Sequence, residues 1–149
     1  MAGVAIVFPG QGAQYPGMGR SLYETSGAAR RVLDRAEALR PGTLGQCFEG
    51  PAEALTRTAN TQPCMFAVEL AAAAALTEAG VSFDAAAGFS LGEIAALTFS
   101  GAVDFDEGFA LVCRRGELMQ AAAQQTDAAM AAVLKLDAQQ GVQLCVFFA

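Results

Sequence analysis

Ser90 stands in Gly88-Phe89-Ser90-Leu91-Gly92. Gly-x-Ser-x-Gly is the spacing of a serine nucleophile held on a sharp turn between a strand and a helix. The flanking glycines lack a Cβ, so the backbone can turn tightly and lift the hydroxyl clear of a sheet edge. The N–H groups that open the following helix then face any oxyanion forming beside Ser90. Such a serine can do covalent chemistry, provided that a base takes its proton. Glu93 is read as a helix-start acid favoured by the dipole and not as that base.

Local patterning supplies the elements that must position this serine. Phe83–Ala87 is short and apolar and is expected to be a buried strand before the turn. Glu93–Ser100 has helix-forming composition and ends at Gly101. Val4–Phe8 is a first strand, and the loop that follows it, Pro9–Gly19, is dense in glycine and proline. That composition is costly unless the backbone must approach something closely. Gly10-x-Gly12 after a strand hints at a dinucleotide loop, but Tyr15 occupies the third glycine position and no acidic residue ends a second strand at the expected distance. A nicotinamide or flavin site is therefore not expected.

Ser26 is expected to cap a helix from Gly27 to about Leu39, with Val32, Leu33, Ala36 and Leu39 inward and Pro41-Gly42 as its stop. Pro51 suits the first turn of a short helix through Leu55. Thr61 is expected to cap a helix from Gln62 to Ala79, with Pro63 in its first turn and Gly80 ending it. That helix is apolar nearly all round, so it should be buried. Asp104 is expected to cap a further helix, roughly Phe105 to Gln125, with Phe109, Val112, Cys113 and Leu118 inward. Met130–Leu134 reads as a third strand, and the stretch from Asp137 begins like a helix and finishes apolar at Ala149. Three strands are few for an α/β domain, whose sheets usually have about five or six. The sequence reads as a fragment.

Composition narrows the function. The 149 residues are 54% hydrophobic and 16% charged, with a net charge of −6, which fits one core-rich domain. No basic patch interleaved with aromatics exists, which argues against nucleic acid. Arg30, Arg31 and Arg35 are interrupted by Asp34 and Glu37 and read as a solvated face. Four cysteines (Cys47, Cys64, Cys113, Cys145) lack C-x-x-C spacing and no histidine is present, so buried free thiols are expected and a metal site is not. Met1–Phe8 has no charged n-region and reads as a strand, not a signal peptide. The Ala71–Ala75 run lies between Glu69 and Glu78 and is too short to span a bilayer. These features point to the cytoplasm.

With both glycine-rich segments placed, the sequence resembles the bacterial malonyl-CoA:acyl carrier protein transacylases. The resemblance is carried by Phe8-Pro9-Gly10-Gln11-Gly12-Ala13-Gln14 with Gly17-Met18-Gly19, then Gly50-Pro51-Ala52-Glu53 and Thr61-Gln62-Pro63. It continues through Gly88-x-Ser90-Leu91-Gly92-Glu93, Gly101-x-Val103-Asp104-Phe105 and Arg115-Gly116-x-x-Met119-Gln120. These motifs follow the family's order and cover the chain to about Leu136, roughly the first half of a member.

The resemblance implies an α/β fold: part of an α/β-hydrolase-like subdomain with a parallel sheet over residues 1–126, then the beginning of a ferredoxin-like small subdomain over 127–149. It implies a ping-pong transfer in fatty acid biosynthesis. Ser90 would take the malonyl group from malonyl-CoA and pass it to the phosphopantetheine thiol of acyl carrier protein, with no cofactor of its own. The backbone amides of Gln11 and Leu91 match the family's oxyanion hole, Arg115 matches the arginine that grips the malonyl carboxylate, and Gln62 matches a glutamine lining the same pocket. Members are usually monomeric. A polyketide synthase acyltransferase domain and a non-catalytic malonyl- or carrier-binding fragment are the alternatives.

Two departures stand out. Phe89 occupies the position where the family usually has histidine, and it is expected to pack in a buried strand end. The family's general base is a histidine far downstream, and this chain contains none. Lys135, the only lysine, lies on the third expected strand, away from Ser90. The chain is therefore expected to be inactive by itself.

Overall fold

The computed structural model describes residues 3–125 and 137–147, with the side chains of 144–147 outside the description. In chain order the elements are β1 (Ala5–Phe8), α1 (Arg20–Thr25), α2 (Gly27–Leu39), α3 (Thr43–Glu49), α4 (Ala52–Thr56) and α5 (Thr58–Glu78). They continue with β2 (Ala85–Gly88), α6 (Leu91–Phe99), α7 (Phe105–Gln125) and α8 (Ala138–Phe147). β1 and β2 pair in parallel, Ala5 opposite Ala85 through Phe8 opposite Gly88. The result is an α/β fold with a small parallel sheet and mostly helices. The expected strand at 130–134 and Lys135 lie outside the described residues.

α5 is the axis of the body. Its run Thr61–Ala67 is buried without a break, and it packs against α2, α6 and α7. A helix apolar on every side has to be enclosed by its neighbours. Phe66 from α5 meets the rings of Phe105 and Phe109 at 5.6 and 6.1 Å, and Leu33, Leu55, Leu91 and Val112 complete this core. Side-chain caps fix two of the long helices. Ser26 Oγ accepts from Ala29 N–H at 3.1 Å, and Asp104 Oδ1 accepts from Glu107 N–H at 2.9 Å. Each satisfies one of the helix's orphan donors.

Several expectations are corrected. α5 begins at Thr58, not Gln62, and Thr61 does not cap it. The Thr61 hydroxyl instead donates to Leu55 O and to Arg57 O, the latter at 3.0 Å, and Pro63 sits inside the helix. Leu39 and Leu118 face solvent, while Leu33, Ala36, Phe109 and Val112 are inward as expected. β2 is exposed along Ala85–Ala87 instead of buried, because the described residues lay no helix over it beyond α6. Cys47 and Cys64 are buried free thiols and Cys113 is half-buried. Among the described residues no cysteine, histidine or acidic group forms a metal-holding cluster, and no helix is long and apolar enough to cross a membrane.

Candidate active site

The turn at Ser90 is strained and its flanks have no room. Ser90 has φ 55° and ψ −106°, a left-handed conformation that side chains rarely tolerate and that marks a site held by its surroundings. A Cβ on Gly88 would lie 2.0 Å from Gly92 O, and a Cβ on Gly92 would lie 2.1 Å from Phe8 O. Both neighbours are backbone atoms, so neither can yield. The two glycines let β1, β2 and the start of α6 converge on one point. Glu93 Oε1 accepts from Ser90 N–H at 3.0 Å, which confirms Glu93 as a helix-start acid that fixes the turn.

The first loop lies against this turn. Phe89 N–H donates to Phe8 O at 3.1 Å, extending the strand pairing to the residue before the serine. A Cβ on Gly10 would meet Phe89 Cδ1 at 2.8 Å and Phe89 O at 3.0 Å. Glycine at position 10 thus places Gln11 beside the elbow. The Leu91 N–H opens α6, and neither it nor the Gln11 N–H has a hydrogen-bond partner among the described residues. Phe89 itself is 74% exposed, contrary to the expected buried strand end. Its ring lies over Gly10 and not in the core.

α5 and α7 supply the other wall. Arg115 Nη2 donates to Ser90 Oγ at 3.1 Å, and Arg115 Nη1 donates to Gln62 Oε1 at 2.9 Å. Gln62 is fully buried, and its Nε2 donates to Met119 Sδ at 3.1 Å. This brings the sequence-predicted Ser90, Arg115 and Gln62 into one chain of contacts. Close helix approach makes it possible: a Cβ on Gly116 would stand 2.9 Å from Thr58 O and 3.1 Å from Ala59 Cα.

Two further contacts tie the first loop to this wall. Gln120 Oε1 accepts from Thr58 N–H at 2.9 Å, an orphan donor at the head of α5, and Thr58 Oγ1 accepts from Gln11 Nε2 at 3.2 Å. The sequence assigned no role to Thr58, Met119 or Gln120. Their signal is helical spacing, since Met119 follows Arg115 by four residues and Gln120 follows Gly116 by four.

The chemistry of this cluster is asymmetric. A guanidinium is permanently protonated and only donates. Arg115 can stabilise negative charge and grip a carboxylate bidentately, but it cannot take the Ser90 proton. The sequence holds no histidine, and among the described residues the side chain that bonds Ser90 Oγ is the donor Arg115 and not a base. The Cys47 and Cys64 thiols lie on α3 and α5; the hydrogen bond with Cys64 and then burial push the Cys47 thiol above its usual range. A separate titratable group stands out on α5, where burial raises the Glu69 carboxyl to about 8.

Comparison with known proteins places the chain. The acyl transferase domain family matches residues 5–146. The malonyl CoA-acyl carrier protein transacylase of Bacillus subtilis (strain 168) is 43% identical over 140 residues, covering 93% of this chain and 44% of that protein. Polyketide synthase GfsB of Streptomyces halstedii is 42% identical over 122 residues, covering 79% of this chain and 2% of its own length. Among solved structures, the malonyl-CoA:ACP transacylase of Synechocystis sp. PCC 6803 superposes with a TM-score of 0.85 at 38% identity, covering 95% of this chain and 47% of that one. The chain thus spans just under half the length of the two transacylases. It belongs to the acyl transferase domain family.

Proposed function

We propose that the chain carries the nucleophile, oxyanion and carboxylate-binding half of a malonyl-CoA:acyl carrier protein transacylase site. The Ser90 Oγ attacks the thioester carbonyl of malonyl-CoA, the carbonyl oxygen takes the developing charge, and coenzyme A leaves as its thiol. The phosphopantetheine thiol of acyl carrier protein then attacks the malonyl-serine ester and returns the proton to Ser90. The Gln11 and Leu91 N–H groups face the oxyanion, an arrangement in which each donor is typically worth about 10²–10³ in rate. Arg115 turns from Ser90 Oγ to the malonyl carboxylate, held flat by Gln62. The proton acceptor for the first step has to come from outside these residues.

One observation carries this reading: the half-buried Arg115 fork reaches the nucleophile oxygen and a buried glutamine together. A general serine esterase has no use for a cation there. The finer architecture we propose is a hydrolase-like subdomain over residues 1–126, with 127–149 beginning a ferredoxin-like one. The free thiols fit a reducing compartment such as the cytoplasm. The same half-site would serve a polyketide synthase acyltransferase domain, a second reading favoured by the Streptomyces relative; transfer to a fatty-acid carrier and not to a polyketide carrier separates the two.

Calorimetric titration tests the carboxylate grip without requiring turnover. Malonyl-CoA should bind about tenfold or more tightly than acetyl-CoA, a difference of about 1.4 kcal/mol. Arg115→Ala should erase the difference and Arg115→Lys should restore only part of it. Equal affinity of the wild type for both thioesters would contradict the proposal.

A further inference from the structure

Gln11 lies between Gly10 and Gly12, and Gly12 takes φ 121°. Two flanking glycines leave the peptide at Gln11 free to swing unless something outside the loop holds it. The loop is fastened on either side of this point. Phe8 pairs with β2 upstream, and Gly17 N–H donates to Cys47 O at 2.9 Å downstream. Between these fastenings Gly12 N–H donates to Gln14 Oε1 at 2.8 Å, a contact within the loop. The Gln11 side chain reaches out of it: its Nε2 donates to Thr58 Oγ1 at 3.2 Å.

Thr58 is itself held. It opens α5, whose N-cap residue Arg57 makes no side-chain cap, so the Thr58 N–H is one of the orphan donors of a helix start. Its acceptor comes from α7, where Gln120 Oε1 lies at 2.9 Å. A bond from a neighbouring helix does more than satisfy an orphan donor, because it fixes where Thr58 stands relative to α7. The same α7 carries Arg115, and Gly116 leaves no room for a Cβ beside Thr58 O. One helix pair therefore sets the place of both the guanidinium at Ser90 and the side chain of Gln11. A donor helps an oxyanion only when it is held in place before charge develops. A misplacement of about 1 Å can cost about 10²-fold in rate.

We propose that Gln120 and Thr58 are positioning residues for the oxyanion. Through the Gln11 side chain they hold the Gln11 N–H at the elbow, in register with Arg115. Neither touches the reacting atoms. The inference deepens the transacylase reading and rests on Gln11 as an oxyanion donor. The Leu91 N–H is fixed by the start of α6 and needs no such tether. The two donors should therefore respond differently when the tether is cut.

The test uses the 149-residue chain enriched in nitrogen-15 and needs no turnover. NMR relaxation reads the order parameters of the Gln11 and Leu91 N–H groups. In the wild type both should be rigid, with values of about 0.85. Thr58→Val removes the hydroxyl but keeps the N–H that Gln120 accepts from, and Gln120→Met keeps side-chain length but removes the acceptor. Either should lower Gln11 below about 0.6 and leave Leu91 unchanged. Thr58→Ser and Gln120→Glu retain the oxygen and should keep the wild-type value. A Gln11 that is mobile in the wild type overturns the proposal. So does one that stays rigid in either Thr58→Val or Gln120→Met, which would leave Gln120 as a cap of α5 alone. Equal loosening of Gln11 and Leu91 also overturns it, since that is a general softening of the fold. Malonyl-CoA is then added. Both resonances should shift in the wild type, and in Thr58→Val the Gln11 shift should be lost while the Leu91 shift remains. No shift in a wild type whose Gln11 is rigid counts against the proposed function and not against the positioning.

Discussion

The wall of α5 and α7 and the wall of β1 and β2 meet at Ser90, and they are packed to different degrees. On the helical side Gln62 is fully buried, Gly116 admits the backbone of α5, and each side chain of the Arg115–Gln62–Met119 relay has a hydrogen-bond partner. On the sheet side Ala85–Ala87 are exposed, Val7 and Phe89 stand in solvent, and Glu69 is buried without a partner. A carboxylate-binding wall can therefore be complete where the catalytic wall is bare. Binding and acylation at this site should be separable.

The largest effect should come from the point where the walls join. Gly88→Ala or Gly92→Ala drives a methyl into a backbone carbonyl at 2.0 or 2.1 Å. Either should cost on the order of 4 kcal/mol or abolish folding, read by urea denaturation. Near-native stability would mean that the strands and α6 are not locked together.

Next comes Glu69, the open defect of the sheet side. Its folded-state value near 8 lies above the ordinary 4.5, so the folded chain holds a proton that the unfolded chain releases. Stability is then full below about pH 4.5, falls as pH rises toward about 8, and is level above it. Glu69→Gln should remove this slope and stabilise the chain at pH 9 by on the order of 3 kcal/mol, with little change at pH 4. A flat wild-type profile would mean that the carboxyl has found a partner.

A smaller effect is expected on the finished side. Gly116→Ala places a methyl 2.9 Å from Thr58 O and should part α5 from α7 slightly, costing about 1–3 kcal/mol. Because Arg115 and Gln62 sit on those two helices, the same variant should weaken malonyl-CoA more than acetyl-CoA. Equal loss for both would separate the helix contact from the carboxylate grip.

What the sequence revealed follows from where the signals are local. The starts of α2 and α7 were legible to the residue because Ser26 and Asp104 are side-chain caps. α1 and α3 were not, because their caps are Gly19 and Gly42 in left-handed conformation, which look like loop. α5 starts a turn early because Pro63 was read as a first-turn residue, whereas the Thr61 hydroxyl bonds upstream carbonyls instead of opening the helix. The elbow was legible from glycine spacing together with the strand and helix composition on either side of it. Arg115 and Gln62 were not, since nothing in helical periodicity marks a guanidinium that points at a serine 25 positions away; only the family resemblance named them. Glu69 carried a signal that went unused, a lone acid inside an apolar helix.

The most direct test of the account is the intact mass of the chain after mixing with malonyl-CoA. It is measured for the chain alone and for the chain continued, as one polypeptide, into the unmatched remainder of the Bacillus subtilis transacylase, with Ser90→Ala as control in each. The account predicts no adduct on the chain alone and a single malonyl group on the continued protein, lost in Ser90→Ala. A Ser90-dependent adduct on the chain alone would contradict it, because these residues would then activate the serine without a histidine.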